Sequence, residues 1–421
     1  MAASSFRISQ LATPSVCLLI SVLAYGSQYF FLHFEPAPLR NSELWRINIF
    51  ALCIWICYYR TCTVDPGRIP KDWKPLNSKQ LEADRASGRQ RWCRKCEAFK
   101  PPRAHHCRNC QRCIPRMDHH CPWTSNCVSH FTLPHFMRFL FYTVTGMSYL
   151  ETLLYERASI IWSSRNLPSY LGPSALQMGF LLVLLLLNSF TVFMLFLLFV
   201  RTIWSLGINT TAIEEWEIER HQTLLRRARH FGGYLTGPGG VRVRIKKQEF
   251  PYDIGIFSNI KAGMGGSWNI LGWFFPLART PDRRTGLEFE VNGFEDPHVS
   301  WPPPDPDRIP VAARNYQAPS TDAFTHTEGS LLSQSPAADQ KVRRRKRFHD
   351  RITEQPDSSG SGESTPEYSS DEEEQDGEEG WKNSEGERLR DFGVEEDIEF
   401  YDEEDIPLAI LMQRRAEKQY Y

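Results

Sequence analysis

Apolar residues gather into four runs in the first half of the chain, with polar stretches between them. Each run approaches the roughly 20 residues that a helix needs to cross a bilayer. They extend from Leu11 to Leu32, Leu44 to Cys62, Phe136 to Tyr155 and Leu176 to Ile203. The fourth contains LLVLLLLNSFTVFMLFLLFV, a stretch longer and more continuous than a buried helix of a soluble domain requires. The second is the weakest, with Arg46 and Asn48 near its start. The first is apolar enough for a signal peptide, but it lacks a strongly basic start and further apolar runs follow it. The pattern predicts an all-α polytopic membrane protein with four transmembrane helices.

Basic residues then set the orientation. Lys and Arg are dense between runs two and three, and again after run four, at Arg220, Arg226, Arg227, Arg229, Arg242, Arg244, Lys246 and Lys247. The other two connections carry few, such as Arg40 and Arg165. Both termini and the long loop are therefore expected in the cytosol. The formal net charge of −1 gives no argument for nucleic acid as a partner.

Seven of the 11 cysteines fall in one stretch, CRKCEAFKPPRAHHCRNCQRCIPRMDHHCPWTSNC, from Cys93 to Cys127. Such a cluster in a secreted chain would suggest disulfides, but the interleaved histidines are what zinc needs and disulfides do not. Two tetrahedral ions require eight ligands. Cys93 with Cys96 and Cys107 with Cys110 form two C-x-x-C pairs, each able to seed one site. His106 with Cys113 can complete the first and His120 with Cys127 the second, although spacing alone leaves other partitions open. Metal would staple a loop too poor in apolar residues to fold by burial. His105, His119 and Cys121 are then left over. Beside Cys121, His119 can take the thiol proton, and Asp118 can orient the imidazole. Arg116 and nearby zinc would lower the thiol pKa further.

The Cys93–Cys127 pattern resembles, along its whole length, the cysteine-rich domain of the DHHC protein S-acyltransferases, the palmitoyltransferases. By that resemblance Asp118, His119 and Cys121 are catalytic. Cys93, Cys96, His106 and Cys113 bind one zinc ion, and Cys107, Cys110, His120 and Cys127 bind the other. The resemblance also implies acyl-CoA as co-substrate, protein substrates with membrane-proximal cysteines as partners, and a lipid bilayer as the setting. Asp65-Pro66-Gly67 is similar to the family's DPG motif. Thr211-Ala212-Ile213-Glu214 stands where the family has T-T-x-E, with Ala212 replacing the second Thr and removing its hydroxyl. Pro251-Tyr252-Asp253 through Asn259 resembles a segment that packs near the family's active site. The short luminal loops, the stretch from Asn209 to Arg220 and the acidic tail look most like the fungal endoplasmic-reticulum branch.

The organisation expected is transmembrane helices 1 and 2 in residues 1–62, the cytosolic zinc domain in 63–135 and helices 3 and 4 in 136–204. A cytosolic segment packing near the active site follows in 205–300, and 301–421 is a disordered acidic tail. Within that tail the WPPPDPDRIP stretch reads as extended, KVRRRKR (341–347) is basic, and residues 357–405 are rich in Ser, Gly, Glu and Asp. Such a composition does not offset the entropy of ordering. Residues beyond about Ser320 are expected to contribute little to chemistry, with one apolar patch at 405–411 as the exception. The rival reading is a membrane-anchored zinc module for docking or ubiquitin-ligase-type work. That role has no need for an unligated Cys121 beside His119.

Overall fold

The computed structural model describes residues 11–34, 37–74, 92–166, 168, 172–237, 242–293, 301, 305–307 and 381–395. The basic run at 341–347, the apolar patch at 405–411 and most of the acidic stretch lie outside the described residues.

Four long helices stand where the apolar runs lie: α1 (Ala12–Leu32), α2 (Asn41–Thr63), α3 (Leu133–Ser163) and α4 (Ala175–Ile208). Local chemistry sets their starts. Glu43 in the first turn of α2 accepts from the Arg40 backbone N–H at 3.1 Å, Pro134 opens α3, and Ser174 and Gln177 form a capping box at α4. Helix α1 widens to a π turn at Val22–Gly26. Helix α3 packs between α2 and α4. The core joins Phe31, Phe34, Leu154 and Leu184, all buried.

Of these helices, α1 and α4 are long and apolar enough to cross a membrane, so the expectation of four spans is met in part. Helices α2 and α3 carry charges that lower their apolarity, and the bundle pairs several of them. Glu43 of α2 meets Arg157 of α3 at 3.1 Å, both buried, with the guanidinium 4.1 Å from the Phe31 ring. Asn188, midway along α4, is buried and donates to the Met147 carbonyl and to Glu151 of α3. The outer face of α4 is instead uniformly apolar and exposed, with Leu182, Val183, Leu186, Phe190 and Phe193 in view. A patch of that extent is a surface built for an apolar surrounding.

Between α2 and α3 the chain forms three short antiparallel hairpins in succession. They pair β1 (Trp92–Cys93) with β2 (Ala98–Phe99), β3 (His105–Cys107) with β4 (Arg112–Ile114), and β5 (His119–Cys121) with β6 (Asn126–Val128). The third hairpin is tied to the end of α2. Asn126 donates to the carbonyls of Thr61 and Val64 at 2.9 and 2.8 Å, and the Tyr58 hydroxyl donates to the Trp123 carbonyl at 2.8 Å. Asp65-Pro66-Gly67 follows α2 directly. The Asp65 carboxylate accepts from the Gly67 N–H and from Arg112, while Gly67 sits at φ +99°. A Cβ there would lie 2.6 Å from the Phe131 ring, so only glycine fits.

After α4 come α5 (Ala212–His230), a hairpin of β7 (Tyr234–Thr236) with β8 (Arg242–Arg244), α6 (Ile256–Gly263) and α7 (Ile270–Phe274). His135 and Arg138 at the start of α3 hold the α7 region. Arg138 donates to the Trp273 carbonyl at 2.8 Å, and His135 pairs with Thr280 at 3.0 Å.

The expectation of a solvated tail from residue 301 onward requires correction at two places. Trp301 is buried edge-on against Phe250, and Arg220 of α5 pairs with Asp305 at 3.0 Å and with Asp307 at 2.5 Å. More distant still, Trp381–Glu395 lies against the second and third hairpins, with Leu389, Phe392 and Val394 buried among Cys107, Ile114, Met117, Cys127, Ile213 and Trp216. Composition averaged over the tail hides these few apolar residues, which is why the sequence read as solvated throughout.

Candidate active site and metal centres

Side chains alternate across a strand, and in β5 that alternation separates two tasks. His119 and Cys121 share one face, and His120 points to the other. His120 lies opposite Cys127 in the hairpin register, just as His106 lies opposite Cys113 in the hairpin before it. Each His–Cys pair faces the C-x-x-C turn of the preceding hairpin. The His106 Nδ1 is 3.3 Å from Cys93 Sγ, 3.3 Å from Cys96 Sγ and 3.7 Å from Cys113 Sγ. The His120 Nδ1 is 3.6, 3.5 and 3.5 Å from the sulfurs of Cys107, Cys110 and Cys127.

In each set the four donor atoms lie within 4.8 Å of one another, and all 11 cysteines are free thiols. Three thiolate sulfurs and one imidazole nitrogen converging on one point suit a tetrahedral zinc ion. The two Cys/His clusters can therefore each hold a metal ion. The structure groups the eight sequence-predicted ligands into the two expected sets.

The hairpins are copies of one another. Cys93, Cys107 and Cys121 stand 14 residues apart, and so do Phe99, Cys113 and Cys127. The second cysteine of the C-x-x-C turn, Cys96 and then Cys110, becomes Thr124 in the third hairpin. Cys121 thus sits in the place of a metal ligand without the second sulfur, and among the described residues no further hairpin brings a histidine and a cysteine to it. This repeat is the signal that spacing arithmetic on individual residues passed over.

Asp118, His119 and Cys121 come together as the sequence suggests. The Asp118 Oδ2 is 2.6 Å from His119 Nδ1, and the Cys121 thiol acts on the His119 ring electrostatically. Burial works against the charged imidazole, but Asp118 and the Cys121 thiolate outweigh it and raise the His119 pKa to about 10. Burial also raises the Cys121 thiol, yet the His119 partner and Thr124 carry its pKa below the ordinary value. Both shifts run in the direction that favours a thiolate–imidazolium pair, with the Asp118 carboxylate orienting the ring. Around Cys121 lie Ile54, Tyr58, Phe136, Phe139 and Leu140, from the C-terminal half of α2 and the start of α3, so the sulfur is set among apolar side chains. A cavity of about 250 Å³ adjoins Asp118 and His119 and is bounded by Phe136, Arg201, Ala212 and Phe392.

The replacement of Thr by Ala212 does not cost Asp118 a partner. The backbone N–H of Ala212, at the first turn of α5, donates to Asp118 Oδ1 at 2.8 Å. Thr211 caps that helix by accepting from the Glu214 N–H, while Glu214 accepts from the Thr211 N–H. The helix N-terminus is thereby aimed at a carboxylate, where its dipole is favourable.

Arg103, which sequence reasoning did not single out, holds this junction together with Asn209 and Asn259. Arg103 forks onto Glu214 with two bonds of 2.7 Å and donates to the Asn209 carbonyl at 2.6 Å, its guanidinium 4.5 Å from the Tyr252 ring. Asn209 is the left-handed cap of α4 at φ +56°, and its side chain accepts from Arg116 and donates to the Tyr252 carbonyl. Asn259 donates to the Gly207 carbonyl and to Asp253.

Residues 86–219 match the family described as DHHC palmitoyltransferase. The chain is 68% identical to the Aspergillus fumigatus protein named palmitoyltransferase pfa4, over 99% of this chain and 100% of that one. It is 63% identical to the Emericella nidulans palmitoyltransferase pfa4, over 100% and 99% of the two chains. To the Gibberella zeae palmitoyltransferase PFA4 it is 43% identical, over 93% and 89%. With similarity of that depth running through the hairpins, the Asp118–His119–Cys121 group and the helices around them, the chain belongs to the DHHC palmitoyltransferase family.

Proposed function

We propose that this protein S-acyltransferase moves a long-chain acyl group from acyl-CoA to membrane-proximal cysteines of protein substrates through a thioester on Cys121. The observation that carries the reading is that Cys121 lies outside both donor sets and shares a face of β5 with His119, which pairs with Asp118. Its thiolate attacks the acyl carbonyl, the bond to the CoA sulfur breaks, and the imidazolium of His119 supplies the proton that the leaving thiolate takes up. In the second half the substrate thiol returns a proton to His119, its sulfur takes the acyl group, and the Cys121 thiolate leaves. Thioester exchange is nearly neutral in energy, so the protein's part is a thiolate, proximity and an apolar slot.

The topology that suits this chemistry has α1 to α4 as four spans of the endoplasmic-reticulum membrane, with the hairpins and both termini cytosolic. Three features support it: the asymmetry of basic residues, the exposed apolar face of α4, and charges of α2 and α3 paired inside the bundle. The acyl chain would then enter the bundle beside Cys121, while the CoA phosphates stay in water near the basic loop.

Each set, Cys93–Cys96–His106–Cys113 and Cys107–Cys110–His120–Cys127, is read as a zinc site. Bound zinc supplies cross-links to hairpins that have little apolar core of their own. Elemental analysis should find two zinc ions per chain in the wild type, and fewer in Cys93→Ser and in Cys127→Ser. Two ions retained by both variants would break the pairing. The function itself is tested by incubating purified protein with palmitoyl-CoA and mapping the adduct by intact mass and peptide analysis. A hydroxylamine-labile palmitoyl group on Cys121 is expected; label confined to other cysteines would overturn the proposal and favour the docking-module reading.

A further inference from the structure

Trp381–Glu395 lies far in sequence from the hairpins and outside the 86–219 family match, yet it bonds to them as a strand would. The Arg108 N–H donates to the Gly393 carbonyl at 2.9 Å, the Glu395 N–H donates to the His106 carbonyl at 3.1 Å, and Val394 bridges to Cys107 in antiparallel register. The segment thus adds a short third strand to the second hairpin, on the edge that carries a ligand of each metal set. Side chains anchor it on the other side. Trp381 stacks edge-on against Trp216 of α5 at 4.9 Å, and the Trp216 indole N–H donates to the Glu387 carbonyl. Gly393, at φ +85°, lies so close that a Cβ there would come within 2.7 Å of the His120 Cβ.

At the end of the strap is an unassigned carboxylate. His106 turns its Nδ1 to the three sulfurs, which leaves its Nε2 buried and facing away from them. The Glu395 Oε2 stands 3.5 Å from that Nε2 and is itself buried with no hydrogen bond to any other group. The second oxygen of the same carboxylate is held by Lys95, on the turn of the first hairpin. A metal-binding histidine characteristically gives its other N–H to a carboxylate, which fixes the ring's tautomer and aim.

We propose that Trp381–Glu395 is a docked strap belonging to the catalytic domain, and that Glu395 is a positioning residue whose carboxylate holds His106 in its ligand orientation. The inference rests on the reading of the first Cys/His set as a zinc site. It assigns to the distal chain a part in metal retention that composition gave no reason to expect.

The test uses full-length protein in detergent, with zinc release followed by a chromogenic chelator in excess. In Glu395→Ala one of the two ions should leave about tenfold faster, the lower end of the 10–100-fold range for loss of such a partner. Glu395→Gln, whose amide oxygen still accepts from Nε2–H, should recover most of the wild-type rate. Phe392→Asp, which undocks the strap, should speed the release of both ions. Unchanged release in both Glu395→Ala and Phe392→Asp would overturn the strap, and a Gln variant as fast as the Ala variant would overturn the positioning role. Wild-type protein holding fewer than two zinc ions would instead overturn the metal reading beneath both.

Discussion

Cys121→Ser should carry no hydroxylamine-labile acyl group after incubation with palmitoyl-CoA, and should keep both metal ions. The serine oxygen is a poor nucleophile at neutral pH, and Cys121 contributes to neither donor set. His119→Ala should retain the thiol but lose its partner, lowering the acylation rate by about 10²–10⁴, the usual range for a positioned acid–base group. The pH profile separates the two effects. In the wild type the imidazole, raised to about 10, stays charged well above the usual histidine range, and the thiol is held low. The rate should therefore show no step near pH 6.5, where a free imidazole titrates. Without His119 the thiol is left buried and unpaired, so its ionisation moves up and the rate should climb with pH beyond about 8.5. Single-turnover acylation across pH 6–10 measures this. A full adduct on Cys121→Ser, or a His119→Ala profile superimposable on the wild type, would remove these residues from the chemistry.

Glu214→Gln should destabilise the domain by about 3–5 kcal/mol, the cost of leaving a buried charge without its partner. Arg103 and Glu214 have side chains only 1% and 3% exposed, so water does not repair the loss. Arg103 keeps its charge and is left with the Asn209 oxygens and the aromatic faces of Tyr252 and Phe289. The damage reaches the active site, because Glu214 also closes the cap of α5 that aims the Ala212 N–H at Asp118. The double replacement Arg103→Met with Glu214→Leu removes both charges together and should be milder than Glu214→Gln alone. Thermal unfolding in detergent, read beside acylation of Cys121, checks this. Wild-type stability and rate in Glu214→Gln would show that the pair is not the brace described.

The parts of the protein most legible in the sequence are those whose chemistry is local. The metal donors lie within one stretch and each residue type declares its use, so Cys93 to Cys127 could be sorted, and the surplus of Cys121 noticed, before any coordinates. The four helices were legible from apolar length, but the charges inside α2 and α3 could not be assigned partners, because Glu43 and Arg157 meet only after the chain turns back on itself. Ala212 shows a different limit. Loss of a hydroxyl in a motif looked like loss of a contact, whereas the contact belongs to a backbone N–H that every non-proline residue possesses. Leu389, Phe392 and Val394 were overlooked because a few apolar residues in an acidic context carry no periodicity, and their docking site is assembled from distant segments.

The 14-residue repeat couples the order of assembly to reactivity. The second and third hairpins each close the cluster opened by the one before, so besides its bonds to α2 and α5 the third gains a further anchor when His120 and Cys127 meet the sulfurs of Cys107 and Cys110. That same pinning turns His119 and Cys121 to a common face, and the apoprotein should therefore be chemically silent even with every catalytic atom present. The C-x-x-C turn also brings a sulfur already stabilised as an anion. In the second hairpin the Cys110 N–H points to the Cys107 sulfur at 3.3 Å, and in the third Thr124, at the equivalent position, helps to lower the Cys121 thiol pKa. On the proposed mechanism, the nucleophile Cys121 occupies a ligand position without an ion, in a turn whose counterparts in the preceding hairpins carry the donors of the Cys/His clusters.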